Sequence, residues 1–130
     1  MLVCLPPGRS AEDFLPLFLE CIEALDYPKS AMALSVRVYN STDETEPLLR
    51  DWLARIGDLY AAVEIESDGE NIYDNDWHPS RSRIFGHMRD ITLHRPAEHK
   101  CDFLFVVDVD NFVRPSTLRE LVALDLPIAG

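Results

Sequence analysis

Phe103-Leu104-Phe105-Val106-Val107-Asp108-Val109-Asp110-Asn111 runs five apolar residues into two carboxylates separated by one valine. A short apolar run bounded by turn residues reads as a buried strand, so the acids fall at its carboxyl end. In an open α/β sheet, ligands bind outside the carboxyl ends of the strands, which places Asp108 and Asp110 where chemistry is done. Past the strand the chain is expected to curl, letting both carboxylates approach one hard cation. Magnesium or manganese, held by one or two carboxylates and a substrate's phosphates, is the usual partner of such acids. The plainer alternative is that the acids end a strand and open a turn, with Asn111 and Pro115 as turn residues. The apolar run ahead of them favours the functional reading.

Upstream, strand and helix signals alternate. Residues 1–5 form an apolar strand closed by Pro6-Pro7-Gly8. A helix follows, with Ser10 as its cap, Asp13 at the third helical position, and Phe14, Leu17, Phe18, Cys21, Ile22 and Leu25 at helical spacing. Pro16 fits its early part if the helix starts late, and Tyr27-Pro28 ends it. Residues 33–39 make the second strand. Asn40-Ser41-Thr42-Asp43 turns into a helix that carries Leu48, Leu49, Trp52, Leu53 and Ile56 on one face and stops at Gly57.

Residues 60–65 read as a third strand, 67–80 as one long polar loop, and 81–95 as a helix that Pro96 terminates. After the acid-tipped strand, Ser116 starts a short helix through Leu121 and Val122, and residues 126–130 begin a fifth strand. Alternation without hairpin signals predicts an α/β fold with right-handed crossovers: a Rossmann-like, mostly parallel sheet with helices on both faces. A chain of 130 residues suits one domain. It ends in an apolar segment with no closing helix, which suits a domain incomplete at its C-terminus.

A net charge of -11 repels a phosphate backbone, so nucleic acid is not expected as a partner. Cys4, Cys21 and Cys101 form no Cys-x-x-Cys pair and have no zinc spacing; reduced, mostly buried thiols are expected. His78, His87, His94 and His99 do not pair at i, i+4 and form no metal pattern. No run approaches the roughly eighteen apolar residues of a membrane span, and the start shows no signal peptide. The chain therefore reads as soluble, and cytoplasmic by default.

A β/α unit with a strand-end Asp-x-Asp resembles the opening of GT-A glycosyltransferases, and more closely the first glycosyltransferase-like domain of the procollagen galactosyltransferases. Four segments carry the resemblance. They are Cys21-Ile22-Glu23-Ala24-Leu25-Asp26-Tyr27-Pro28-Lys29, Leu48-Leu49-Arg50-Asp51-Trp52-Leu53, Trp77-His78-Pro79-Ser80-Arg81, and residues 103–111 followed by Pro115-Ser116-Thr117-Leu118. The spacing from Arg89 to Asn111 is also similar.

The resemblance implies a single nucleotide-sugar-binding domain over residues 1–130, transferring a hexose from a nucleotide sugar, usually a UDP-sugar, with Mn2+ (or Mg2+) at the diphosphate. By motif position Asp110 is the direct metal ligand. Asp108 contacts the metal through water, or the ribose. Arg89 matches a family arginine whose planar fork suits a phosphate. Pro7 and Arg9, beside Gly8, follow the first strand where the family contacts base and ribose. Asp43 lies in the turn after the second strand, where capping the next helix is the alternative role. The family often places an aspartate earlier in that turn to read uracil, and Val38 and Tyr39 stand there instead. The acceptor, glycan or protein, and any catalytic base are not assigned.

Two other readings compete. Haloacid-dehalogenase-like phosphatases also place Asp-x-Asp after an apolar strand, but Phe112 stands where they carry a small hydroxyl residue, and only twenty residues follow Asp110 to supply their lysine and further acids. The other is a non-catalytic or degenerate module that binds a nucleotide sugar without turning it over.

Overall fold

The apolar runs become strands and the 3.6-residue periodicities become helices. A computed structural model describes residues 2–5, 11–39, 43–68, 90, 94 and 100–129. In chain order these give β1 (Leu2–Leu5), α1 (Leu15–Glu23), β2 (Ala33–Tyr39), α2 (Thr45–Ile56), β3 (Ala62–Asp68), β4 (Leu104–Val106) and α3 (Thr117–Ala123), with short 3₁₀ turns at Lys29–Ala31 and Gly57–Leu59. The four strands form one sheet in the order β3-β2-β1-β4, and every pairing is parallel.

Alternation along β2 sorts the two faces of the sheet. Leu34, Val36 and Val38 are buried against Leu15, Phe18 and Ile22 of α1 and Leu49, Trp52 and Ile56 of α2, so both helices cover the same face. Phe18 and Ile22 are among the most completely buried side chains. Each contributes on the order of 1.5–3 kcal/mol relative to an exposed position. Leu118 of α3 joins the same core. On the opposite face Ala33 meets Cys101 and Leu104, the Ser35 hydroxyl donates to Glu64 Oε1 at 2.5 Å, and Arg37 pairs with Glu66. Ser35 and Arg37 stand opposite Glu64 and Glu66 in the β2–β3 register, so these are cross-strand pairs.

Several expectations shift. Helix α1 starts at Leu15 with Pro16 in its first turn and no side-chain cap, and Asp13 lies in the turn before it; Ser10 is outside the described residues. Its buried stripe is Leu15, Phe18, Leu19 and Ile22, while Phe14 and Leu17 are exposed. Two neighbouring stripes of this sequence are apolar, and the one through Leu15, Leu19 and Ile22 meets the sheet. The helix ends at Glu23, before Tyr27-Pro28, where the Lys29 ammonium donates to Leu25 O at 2.9 Å. On α2, Leu48 is 37% exposed and only its companions are buried.

Gly57 has a right-handed φ of −56° and leads into a 3₁₀ turn, so it ends α2 without the left-handed conformation that favours glycine. β3 runs later than expected because its polar end, Glu66 to Asp68, pairs with β2. β4 is short, and it is an edge strand among the described residues, with Val106 45% exposed instead of buried. The fifth strand is absent among the described residues: Asp125 takes φ 50° after α3, and Ile128 is 90% exposed. Of the helix expected over 81–95, only Asp90 and His94 are described, and both are helical. The long loop falls almost wholly outside.

Tyr60, at the entrance to β3, is 7% exposed, and its hydroxyl has no hydrogen-bond partner among the described residues. Burial, and after it the Glu23 carboxylate, push that hydroxyl up to about 12. Its folded value lies above the ordinary tyrosine value of about 10. Its contribution is therefore intact below about pH 10 and is lost as pH rises toward 12. Tyr60→Phe is expected to flatten this base-side loss and leave stability at pH 7 unchanged or higher, since it deletes a buried unpaired hydroxyl. Urea unfolding at pH 7 and 11 checks this, and a lower midpoint for Tyr60→Phe at pH 7 would contradict it.

Candidate donor and metal site

From β1 the chain steps outward to β2 and β3, then returns to place β4 on the other side of β1. The direction of winding therefore reverses between β1 and β4. At such a switch point the connections leave the sheet in opposite directions and open a crevice at the carboxyl ends of the strands. Asp108 and Asp110 lie just past the carboxyl end of β4, at that crevice.

Their presentation is read from burial in the segment that follows β4. Val107 and Val109 are buried, at 5% and 8% exposure, while Asp108 and Asp110 are both exposed. The expected curl is present: Val109 and Asp110 form the centre of a turn, closed by Asn111 N–H donating to Asp108 O at 2.9 Å. The two valines anchor the turn and the two aspartates project from it.

Beyond the turn the chain is tied to the segment that follows α1. Asp26 N–H donates to Pro115 O at 2.7 Å, Arg119 pairs with Asp26 at 2.5 Å, and Val113 packs on the core. Thr117 Oγ1 accepts from Arg114 N–H at 3.1 Å. The acid turn is therefore held from both sides, as a preorganised ligand position requires.

Along the same edge, the connections leaving β1 and β2 are joined. Thr45 Oγ1 accepts the Ala11 N–H at 3.2 Å, Asp43 Oδ2 accepts the Glu12 N–H at 3.4 Å, and Glu12 Oε2 accepts the Glu44 N–H at 3.1 Å. Asp43 Oδ1 accepts the Thr45 N–H at 3.1 Å. Next to this joint, the Ser67 hydroxyl and then Arg50 hold the Glu46 carboxyl below its usual range and tie the end of β3 to the start of α2.

Of the residues singled out in the sequence, Asp108 and Asp110 come together at the switch point. Asp43 lies further along the same edge, both of its carboxylate oxygens accepting backbone N–H groups. Val38 is 2% exposed, a core residue. Pro7, Arg9 and Arg89 fall outside the described residues, as does Trp77. Cys21 and Cys101 are half-buried thiols. Among the described residues no cluster of three or more His, Cys, Asp or Glu surrounds a metal position. Two oxygen donors beside a crevice nevertheless suit a hard ion that completes its shell with phosphate and water. The joint through Thr45 was missed because a threonine in a helix's first turn reads as an ordinary capping residue, and its partner stands 34 residues away.

The model of the glycosyltransferase family 25 N-terminal domain matches residues 1–130. The chain belongs to this family. It is 37% identical over 123 residues to human procollagen galactosyltransferase 2, covering 89% of this chain and 20% of that protein. It is 33% identical over 130 residues to human inactive glycosyltransferase 25 family member 3, covering 95% of this chain and 22% of that protein. The chain thus spans about a fifth of the length of these curated relatives.

Solved structures place the family 25 domain on the GT-A fold. The S. aureus TarS 1-349 structure in complex with UDP superposes with a TM-score of 0.64 at 18% identity, over 94% of this chain and 31% of that one. The mannosyltransferase PcManGT from Pyrobaculum calidifontis, in complex with GDP-Man and Mn2+, gives 0.62 at 19% identity, over 99% and 33%. No described helix is long and apolar enough to cross a membrane.

Asp43→Ala removes the acceptor for the first N–H of α2 and the tie to Glu12. It is expected to lower unfolding free energy by about 1 kcal/mol, the usual cost of a lost helix-start acceptor. Urea denaturation measures this, and an unchanged midpoint would contradict the anchoring role.

Proposed function

We propose that this chain is the donor-binding half of a metal-dependent glycosyltransferase that transfers a hexose from a nucleoside diphosphate sugar, a UDP-sugar on the family resemblance. The observation that carries the reading is the exposed pair Asp108 and Asp110 beside the β1–β4 switch point. Asp110 is assigned as the direct ligand of Mn2+ (or Mg2+), and Asp108 as the second carboxylate, turned to the ion or to the ribose. When bound, the ion neutralises the charge that builds on the departing diphosphate.

The chain's own charge supports a strict metal requirement. With twenty-three acids against twelve bases it repels a bare diphosphate and attracts divalent cations, so donor and cation are expected to bind together. Arg89 is assigned to a phosphate, and Pro7 and Arg9 to the base and ribose side. Asp43 is kept as a donor-edge residue that acts by shaping the turn. The acceptor is a glycan or a protein, and a collagen-like one is suggested by the relatives' names alone.

A second reading is a domain that binds the donor without catalysis. It is favoured by the 33% identity to a relative named inactive. Donor turnover would exclude it, and metal-dependent binding without turnover would support it.

The test is calorimetric titration of the chain with UDP, with Mn2+ present and then chelated. Binding is expected only with the metal, and Asp110→Ala is expected to abolish it. If Asp110→Ala binds UDP and Mn2+ as the parent does, the site assignment is wrong.

A further inference from the structure

The turn that carries the acids ends on Asn111, whose N–H closes it by donating to Asp108 O at 2.9 Å. A four-residue turn brings its first and fourth Cα atoms within about 7 Å, so Asn111 stands across from Asp108 and directly follows Asp110. Like the two acids, Asn111 is exposed. Its backbone is held on both sides, by buried Val109 before it and by Val113, packed on the core, after it. Its side-chain amide forms no hydrogen bond among the described residues.

Turn chemistry does not account for this residue. Asparagine favours the first position of a common turn, where it bonds back to the chain, or a left-handed position within it; the fourth position favours glycine. An asparagine at the fourth position that caps nothing presents an amide oxygen beside two carboxylates. Carbonyl oxygens suit hard divalent cations as carboxylates do. Charge makes the neutral donor the useful one. Two carboxylates balance a divalent ion, whereas a third would leave the loaded site negative in a chain that already carries −11, and would repel a diphosphate. An amide oxygen adds a ligand and no charge.

We infer that Asn111 supplies a third protein oxygen to the divalent cation at Asp108 and Asp110, and that its neutrality keeps the loaded site able to accept a diphosphate. This rests on the donor-binding reading given above and deepens it. The remaining positions around the ion go to phosphate and water. The two contributions of the residue are separable. As an oxygen donor it strengthens ion binding, and as an uncharged one it preserves nucleotide binding. Replacing it with aspartate therefore pulls the two affinities in opposite directions.

The experiment compares the parent chain with Asn111→Ala and Asn111→Asp, measuring Mn2+ affinity alone and with UDP, water-proton relaxation per bound Mn2+, UDP affinity at saturating Mn2+, and the thermal midpoint. Asn111→Ala is expected to lose Mn2+ affinity by about tenfold or more, the scale on which even outer partners of a metal site act. It is also expected to raise the relaxation per bound ion, because a water takes the place of the amide. Asn111→Asp is expected to bind Mn2+ more tightly than the parent and, once loaded, to bind UDP more weakly. Thermal midpoints are expected to stay near the parent's, since the side chain is exposed. If Asn111→Ala does not fold, the opposed affinities of Asn111→Asp carry the test. An alanine variant that binds Mn2+ as the parent does, or with unchanged relaxation, overturns this inference alone, as does an aspartate variant that binds UDP as tightly as the parent. A parent that binds Mn2+ neither alone nor with UDP overturns the donor reading and this inference with it.

Discussion

β1 is hydrogen-bonded in parallel on both sides, to β2 through four register positions and to β4 through three. Both halves of the site are referred to this one short strand. Parallel pairing aligns the carboxyl ends of β2, β1 and β4 along one edge, at spacings of about 4.8 Å between neighbours. The return of the chain to the far side of β1 then opens the crevice. The acid turn inherits its position from the β1–β4 register, and the Thr45 joint inherits its position from the β1–β2 register. A slip of one residue in either pairing would exchange the buried valines with the exposed aspartates, or lift Leu34, Val36 and Val38 out of the core.

The charge balance gives the site its character. Under the donor-binding proposal, an acidic chain does not hold a diphosphate with its own field, and Asp108 and Asp110 would worsen the repulsion if they acted alone. Two carboxylates become useful only when a cation stands between them and the phosphates. Their exposure fits that role, because a buried pair would pay a large desolvation penalty and would be closed to a substrate. The burial of Val107 and Val109 supplies the rigidity that exposed side chains lack.

Much of this was legible in the sequence. The apolar run before Asp108, residues 33–39 and the alternation of strand with helix were enough for a parallel Rossmann-like sheet, and the Asp-x-Asp was found because five apolar residues precede it. What stayed hidden depends on long-range partners. The polar end of β3 looks like loop until Arg37 and Glu66 are seen as cross-strand partners. Phe14 and Leu17 look like core until the packing of α1 on the sheet leaves them exposed. Thr45 looks like a helix-start residue until Ala11 arrives from 34 positions away. Residues 126–129 look like a strand because Leu126 and Ile128 are apolar, but they pair with no strand among the described residues.

The central claim is that donor and cation meet at the turn after β4. It is tested most directly by adding Mn2+, in the presence of UDP, to the isotope-labelled chain and recording which amide resonances the paramagnetic ion broadens. The account predicts that broadening centres on the amides of residues 107–111 and spreads to those at the carboxyl end of β1, while the opposite edge of the sheet, at the Lys29–Ala31 turn, stays sharp. Broadening centred on any other acidic group, with residues 107–111 unaffected, would contradict it.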